Sequence, residues 1–272
     1  MKNSDTHKYK LGLALSGGGA KGFAHIGVFQ ALEERGIKPD IISGTSSGAF
    51  AGVLYADGHS PKEILEMFEN KAFKEFAELT LPQAGLFKSD RFQQFLKKNL
   101  KAKTYEELQI PLVAVATDIE NGTSVQFSEG NLIPTIVASC TFPIVFMPKE
   151  INNKHYIDGG VFKNFPVSNI RNQCDFIIGT NVAPLTGQKF KNSMLYVAER
   201  SFHYMSASHE IQDKKMCDIL IEPARLTKYT TFDLNHIPEI YQLGYDIAAQ
   251  ILDENADKLK WLVDRGQEKK DS

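Results

Sequence analysis

The sequence lacks the features that mark secreted, membrane-spanning and nucleic-acid-binding proteins. It has only 3 cysteines in 272 residues, an odd number without a CxxC pair, so neither a disulfide framework nor a zinc ribbon is expected. No apolar run reaches the roughly 18 residues that a membrane span requires. The 31 basic and 33 acidic residues give a formal charge of -2, without the basic excess of an extended nucleic-acid interface.

The start of the chain is polar and contains no apolar stretch of the kind found in a secretory signal. Together with Cys140, Cys174 and Cys217, interpreted as reduced thiols, this predicts a cytoplasmic protein. We expect residues 1–9 to form a flexible segment, residues 10–265 one domain, and residues 266–272 a charged tail.

Apolar strand patterns alternate with helical patterns, which predicts an α/β fold with a mainly parallel sheet. The predicted strands are 11–16, 40–43, 112–117, 124–127, 155–157, 176–180 and 219–221, of which 124–127 pairs back as a hairpin. The predicted helices are 23–35, 49–55, a stretch beginning at 61, 134–139, 193–215 and two over 238–263. The Phe-rich stretch 71–100 is expected to form a helical insertion within a cap over about 60–105.

A glycine-rich loop, SGGGAKG at 16–22, lies between the first strand and the first helix. Its bare N–H groups at a helix start favour an anion, either a phosphate or the oxyanion of acyl transfer. The spacing also satisfies the G-x-G-x-x-G pattern, but Asp40 begins the second strand, and no acidic residue ends it as a dinucleotide site requires. Gly22 is followed by Phe23, so the loop is not a P-loop either.

The second motif, Gly44-Thr45-Ser46-Ser47-Gly48, matches G-x-S-x-G between an apolar strand and a small-residue helix. That context is typical of a nucleophile elbow, which exposes its serine at a helix N-terminus. Ser46 is the candidate nucleophile, with Ser47 as the rival. Only one strand and one helix precede it, which argues against the α/β-hydrolase fold.

An elbow serine needs a base, and the downstream histidines show no supporting pattern. These are His59, His155, His203, His209 and His236. The other unusual cluster is Asp158-Gly159-Gly160, where an acid ends a predicted strand. A carboxylate within hydrogen-bond reach can activate a serine directly if burial makes it more basic.

In this order, the three motifs resemble the patatin-like phospholipase family, and the resemblance extends over about 10–252. Further similar blocks lie at 23–28, 116–118, 138–143, 164–166 and 244–245. The resemblance implies a three-layer α/β/α sandwich and a catalytic domain over 10–265. It also implies a Ser46–Asp158 dyad, an oxyanion hole formed by the N–H groups of Gly17, Gly18 and Gly19, and no metal or cofactor. No chemical step is assigned to Lys21.

The implied substrate is a lipid or acyl ester, with no nucleic-acid partner and an oligomeric state that the sequence leaves open. Transient contact with a membrane surface through 71–100 is a further expectation. Candidates for the acyl groove are Phe50, Phe68, Phe73, Phe76, Phe87, Phe92 and Phe95. Two alternatives stay open: an acyltransferase that uses the same serine, and a non-enzymatic module that binds an anion or lipid.

Overall fold

The computed structural model describes residues 7–68, 78–79, 87–187, 189–190, 192–205 and 207–268. The strands are β1 (Tyr9–Leu15), β2 (Ile41–Thr45), β3 (Glu78–Leu79), β4 (Phe87–Lys88), β5 (Leu112–Asp118), β6 (Thr123–Phe127), β7 (Lys149–Ile151), β8 (Lys154–Asp158), β9 (Cys174–Thr180) and β10 (Ile219–Ile221). The α-helices are α1 (Phe23–Glu34), α2 (Ser47–Ala56), α3 (Pro61–Glu66), α4 (Asp90–Asn99), α5 (Leu132–Ser139), α6 (Met194–Met205), α7 (Ala207–Lys215), α8 (Ile237–Glu254) and α9 (Ala256–Glu268).

The main sheet has the strand order β10-β9-β1-β2-β5-β8-β7, and β6 pairs with β5. The strands from β10 to β5 run parallel, whereas β6, β7 and β8 are joined by antiparallel pairing. Parallel neighbours need a crossover, and helices supply it here, as in other α/β proteins. The predicted α/β/α sandwich with a mainly parallel sheet is confirmed.

The two faces of the sheet have different coverings. Alternation along β1 sends Leu11, Leu13 and Leu15 to the larger core, which they share with helices α1, α2 and α8. The intervening Ala14 belongs to a second core on the opposite face. There the cover is mainly the chain segment 165–170 rather than a long helix.

The antiparallel strand β8 lies beyond the end of β2, along the same edge of β5. Thr45, the last residue of β2, pairs with Val115, and Asp158, the last residue of β8, pairs with Ala116. Strand β6 occupies the other edge of β5 at both positions. Val115 and Ala116 are consecutive residues of β5. The two pairings therefore bring Ser46, which follows Thr45, close to Asp158.

Several predicted boundaries change in the structure. Helices α6 and α7 cover most of the helix expected over 193–215, on either side of residue 206, which lies outside the described residues, and strand β7 was not predicted. Strand β1 begins at Tyr9, inside the expected flexible segment, and α9 extends to Glu268, into the expected tail. Residues 69–77 and 80–86, about a third of the expected cap, lie outside the described residues.

Candidate active site

Ser46 lies at a sharp turn between β2 and α2. Its backbone has φ 52° and ψ -123°, a region that residues other than glycine adopt only under strain. The turn is held by its neighbours. The Ser46 N–H donates to Ser139 Oγ at 2.9 Å, and that hydroxyl donates in turn to the Val115 carbonyl at 2.6 Å. The Phe50 N–H donates to the Ser46 carbonyl at 2.9 Å, as the first turn of α2 requires.

The glycines of the motif are required by close packing around that turn. A Cβ on Gly48 would lie 2.3 Å from the Leu15 carbonyl oxygen, and one on Gly44 would lie 2.6 Å from the Ala49 nitrogen. Helix α2 can therefore start directly against the end of β1 only if these positions carry no side chain. This is the physical reason for the G-x-S-x-G pattern here.

Asp158 is fixed at the end of β8 by main-chain and side-chain hydrogen bonds. Its N–H donates to the Thr141 carbonyl at 2.8 Å, and its carbonyl accepts from Thr117 Oγ1 at 3.0 Å. The carboxyl caps the short 3-10 helix Gly159–Val161 and accepts the Gly160 N–H at 2.8 Å. With 1% of its surface exposed, Asp158 has its carboxyl positioned and shielded from water.

Burial raises the pKa of Asp158 to about 7, because desolvation penalises the charged form. Hydrogen bonds from the Ser46 side chain and from the Gly160 N–H lower this pKa but do not outweigh burial. The carboxyl is therefore far more basic than an exposed aspartate, and its side-chain partner is the elbow serine. Perturbed pKa values of this kind cluster at functional sites.

Of the three glycines expected to donate from the loop, Gly18 and Gly19 line the pocket and Gly17 does not. The Gly17 N–H already donates to the Asn164 carbonyl at 3.0 Å, and Gly17 does not line the pocket that contains Ser46. Gly18 and Gly19 do line it, and within the described part of the chain their N–H groups have no acceptor. The expectation for Gly17 is therefore revised, while Gly18 and Gly19 stay candidates.

Gly19 needs its glycine for two reasons. Its φ is +59°, and a Cβ would lie 2.2 Å from the Thr231 carbonyl oxygen. That same carbonyl accepts the Ala20 N–H at 2.7 Å. The loop is thus held against Thr231 on one side.

The pocket contains about 970 Å³ of empty space, part of it open to solvent, and both Ser46 and Asp158 line it. Most of its remaining wall is aromatic or aliphatic, formed by Phe23, Phe50, Phe68, Phe92, Phe142, Phe146, Phe202, Phe232 and Leu234. Of the expected groove residues, Phe50, Phe68 and Phe92 are in this wall. Phe95 packs on Phe68 and Phe87 on Phe146, and Phe73 and Phe76 lie outside the described residues.

The histidines are mostly committed elsewhere. His59, His155 and His236 contact Asp57, Glu120 and Asp233 respectively. His25 is fully buried beside the glycine loop, where its Nε2–H donates to the Ser16 carbonyl at 2.9 Å, and burial lowers its pKa to about 4. Among the described residues, only His203 of the seven histidines lines the pocket.

Sequence reasoning missed several wall residues. His203, Thr231 and Phe232 come from chain segments with no motif of their own. Asn164 is different, because it belongs to the block at 164–166 that the family resemblance included. In the part of the chain that the structure describes, no three His, Cys, Asp or Glu side chains group as a metal site would require.

The α/β/α fold, the strained serine and the buried carboxyl place the chain among α/β proteins with a nucleophile-elbow site. A sequence model of the patatin-like phospholipase family matches residues 13–170, more than half of the chain. The chain therefore belongs to the patatin-like phospholipase family.

Relatives of this chain include bacterial, fungal and human proteins. It is 34% identical over 167 residues to an uncharacterized NTE family protein of Mycobacterium tuberculosis, covering 59% of this chain and 45% of the relative. It is 26% identical to "Lysophospholipase NTE1" of Saccharomyces cerevisiae, over 87% of this chain and 16% of that protein. It is also 26% identical to human "Patatin-like phospholipase domain-containing protein 6", over 86% of this chain and 20% of that protein. The chain spans less than half the length of each of these relatives.

The fold has a match among solved structures. VipD from Legionella pneumophila superposes with a TM-score of 0.53 at 16% identity, covering 93% of this chain and 69% of VipD. Identity this low supports the fold alone.

Proposed function

We propose that this chain is a serine acyl hydrolase of lipid esters in which Ser46 is the nucleophile and Asp158 its base. The observation that carries the proposal is that the strained elbow serine and a buried carboxyl line one pocket, where burial raises the pKa of the carboxyl to about 7 and the Ser46 side chain lowers it. A base is most effective when its pKa lies near the working pH.

In the proposed first step, Ser46 Oγ attacks the ester carbonyl carbon while its proton passes to the Asp158 carboxylate. The carbonyl oxygen becomes an oxyanion, which the N–H groups of Gly18 and Gly19 stabilise. The tetrahedral intermediate then collapses, and the leaving alkoxide takes the proton from Asp158. Water, activated by the same carboxylate, hydrolyses the acyl-enzyme and restores the Ser46 hydroxyl.

The pocket wall supports a hydrophobic acyl chain as the ligand. Phe50 packs against Phe68 and Phe92 with ring centroids 5.6 and 5.1 Å apart, and Phe142 packs on Phe202 at 4.5 Å. Apolar walls with a few convergent polar groups are typical of small-molecule sites. The names of the fungal and human relatives, a lysophospholipase and a phospholipase-domain protein, favour a phospholipid or lysophospholipid.

We further propose that the chain reaches lipid through a transient surface contact and acts in the cytoplasm. Within the described residues no helix is both long enough and apolar enough to cross a bilayer. The expected contact segment 71–100 is only partly described. The described surface offers another apolar area beside the pocket mouth, at Ile144 and along α6.

The test is hydrolysis of p-nitrophenyl esters from butanoate to palmitate by wild type, Ser46→Ala and Asp158→Asn. We expect both variants to lose at least about 1000-fold in kcat/KM, because a nucleophile and its base act as a unit. Wild-type kcat/KM should rise with pH toward about 7 as Asp158 ionises. Ser43→Ala is the matched control, since Ser43 is a buried serine on the same strand outside the pocket.

Fluorophosphonate labelling distinguishes the alternatives. If labelling survives in Ser46→Ala but is lost in Ser47→Ala, the nucleophile is Ser47 rather than Ser46. Labelling of Ser46 without ester turnover would favour transfer to an acceptor other than water. Neither labelling nor turnover in the folded wild type would contradict the proposal and favour a binding module.

A further inference from the structure

Asn164 joins the glycine loop to the segment that follows Asp158. Its main-chain carbonyl accepts the Gly17 N–H at 3.0 Å. The preceding residue, Lys163, is fixed at both ends: its carbonyl accepts Thr45 Oγ1 at 2.7 Å, and its Nζ donates to Asp213 at 2.7 Å. Asn164 is therefore held in place by its neighbours and does not need its own side chain for anchoring.

The Asn164 side chain is buried and lacks a hydrogen-bond partner at one end. The residue is 3% exposed, and its Nδ2 has no partner among the described residues. Leaving a buried N–H donor unpaired is unfavourable, and such groups are rare unless they serve a ligand or a reaction. Asn164 also lines the pocket that contains Ser46 and Asp158.

The amide oxygen and the amino group face different surroundings. An added Cβ on Gly17 would lie 2.5 Å from Asn164 Oδ1 and 3.1 Å from Ser46 Cβ, and one on Gly160 would lie 3.0 Å from the same Oδ1. The oxygen is thus turned toward the two glycine main chains next to the nucleophile. The amino group is the part of the side chain left for the pocket.

We propose that the Asn164 Nδ2–H₂ group is the third donor of the oxyanion hole, beside the N–H groups of Gly18 and Gly19. This inference rests on the proposed hydrolase function. The Gly17 N–H donates to the Asn164 carbonyl and so cannot bind the oxyanion. In this proposal the Asn164 side chain supplies the third donor in its place. Side-chain amides serve as oxyanion donors in other acyl-transfer enzymes.

The test compares Asn164→Ala and Asn164→Asp with wild type in p-nitrophenyl ester hydrolysis. Removing one oxyanion donor typically lowers kcat by about 100- to 1000-fold, so we expect that loss in both variants with KM changed less than about threefold. The aspartate has the same shape but is an acceptor when ionised, so it should not restore kcat. Asn169→Ala is the matched control, because Asn169 lies in the same segment outside the pocket.

A second readout separates an oxyanion donor from a structural residue. The phosphoryl oxygen of a fluorophosphonate occupies the same hole, so its second-order labelling rate with Ser46 should fall in step with kcat while the melting temperature of Asn164→Asp stays within a few degrees of wild type. A kcat within about threefold of wild type in Asn164→Asp, or a loss confined to KM, would overturn the inference.

The failure of this inference is distinguishable from failure of the hydrolase proposal. If wild type labels and turns over, Ser46→Ala does not, and the Asn164 variants behave as wild type, then the amide is not a donor and the hydrolase assignment stands. If folded wild type neither labels nor turns over, both are overturned.

Discussion

Two residues of the pocket are held in states that cost free energy. Ser46 has a backbone conformation that disfavours any side chain, and Asp158 has a carboxyl that is costly to ionise where it lies. Strain and unfavourable burial persist in folded proteins where the surrounding structure enforces them, and they cluster at functional sites. Each cost can be measured separately from catalysis by a change in stability.

The strain at Ser46 predicts that its removal by glycine stabilises the fold. Ser46→Gly and Ser46→Ala both delete the hydroxyl, but only glycine adopts φ 52° without a Cβ penalty. We expect the glycine variant to be more stable than the alanine variant by about 1–2 kcal/mol. Urea unfolding of the two variants measures the difference, and equal midpoints would show that the turn is not strained.

Burial of Asp158 predicts a stability that falls as pH rises. Its folded pKa, about 7, lies above its usual value of 3.8, so between these pH values the folded state binds more protons than the unfolded state. The stabilisation of the folded state by the Asp158 carboxyl is therefore complete below about pH 4 and is lost as pH rises to about 7. Asp158→Asn carries no charge, so its free energy of unfolding at pH 8 should exceed that of wild type by an amount on the order of a few kcal/mol, and the gap should close by pH 4.

Asp118 provides a control of opposite sign at the neighbouring strand end. Hydrogen bonds from Asn121, and the charge of Lys154 to a smaller extent, lower the pKa of Asp118. The ionised Asp118 carboxylate therefore stabilises the fold at neutral pH, and this stabilisation is lost on acidification. Asp118→Asn should melt below wild type at pH 7, with a gap that also narrows toward acid pH. If Asp158→Asn behaves in the same way as Asp118→Asn, the carboxyl of Asp158 is not desolvated.

At the scale of elements, the sequence predicted what local chemistry determines. Ser60 and Pro61 predict the start of α3, and the structure shows the reciprocal Ser60–Glu63 capping box. The apolar runs predict the central parallel strands because buried strands have no polar face. Strand β7 was missed because its three residues, Lys149–Ile151, are too few for an apolar pattern to show.

The site shows the same division between local and long-range information. The G-x-S-x-G and Asp-Gly-Gly motifs identify Ser46 and Asp158 as candidates, but their hydrogen bond depends on β8 running antiparallel beside β5. That pairing joins residues distant in sequence, so no local pattern contains it. The occupied Gly17 N–H was missed for the same reason, because its acceptor is Asn164.

The close start of α2 predicts very different effects for two glycines on one helix. At Gly48 a Cβ would meet the Leu15 carbonyl oxygen at 2.3 Å, whereas at Gly52 it would meet the end of the Ile42 side chain at 3.1 Å. Backbone cannot move aside as a side-chain methyl can. Gly48→Ala should lower stability by more than about 3 kcal/mol or prevent folding.

Gly52→Ala is the matched control. Alanine favours the helix over glycine by about 1 kcal/mol, which offsets the tight contact, so this variant should melt within a few degrees of wild type. Thermal unfolding by circular dichroism compares the two. A Gly48→Ala protein as stable as Gly52→Ala would mean that α2 does not abut β1 as described.

At the scale of the whole molecule, an exposed apolar surface adjoins the pocket. We call it the rim and define it as Ile144, Met194, Val197 and Met205, which are 65%, 91%, 49% and 53% exposed. The rim lines a surface depression together with Phe142 and Phe202, and both of these phenylalanines also line the pocket with Ser46. Exposed apolar area that continues into a pocket proposed to bind lipid is suited to contact with a lipid surface.

The rim predicts that action on vesicles and action on a soluble ester can be separated. Neither Met194 nor Val197 lines the catalytic pocket, so Met194→Asp/Val197→Asp should hydrolyse p-nitrophenyl butanoate as wild type does. Its binding to phosphatidylcholine vesicles, and hydrolysis of lipid in them, should fall at least about tenfold, since each apolar side chain buried in lipid contributes roughly 1.5–3 kcal/mol.

The control for that experiment is an exposed apolar residue outside the rim. Ile119, 49% exposed beyond the end of β5, should tolerate Ile119→Asp with vesicle binding unchanged. Equal loss in Ile119→Asp and the double variant would show a general charge effect rather than a contact through the rim. If instead wild type elutes as a dimer and the double variant as a monomer with undiminished vesicle hydrolysis, the rim binds a second copy of the chain, and lipid enters the pocket by another side.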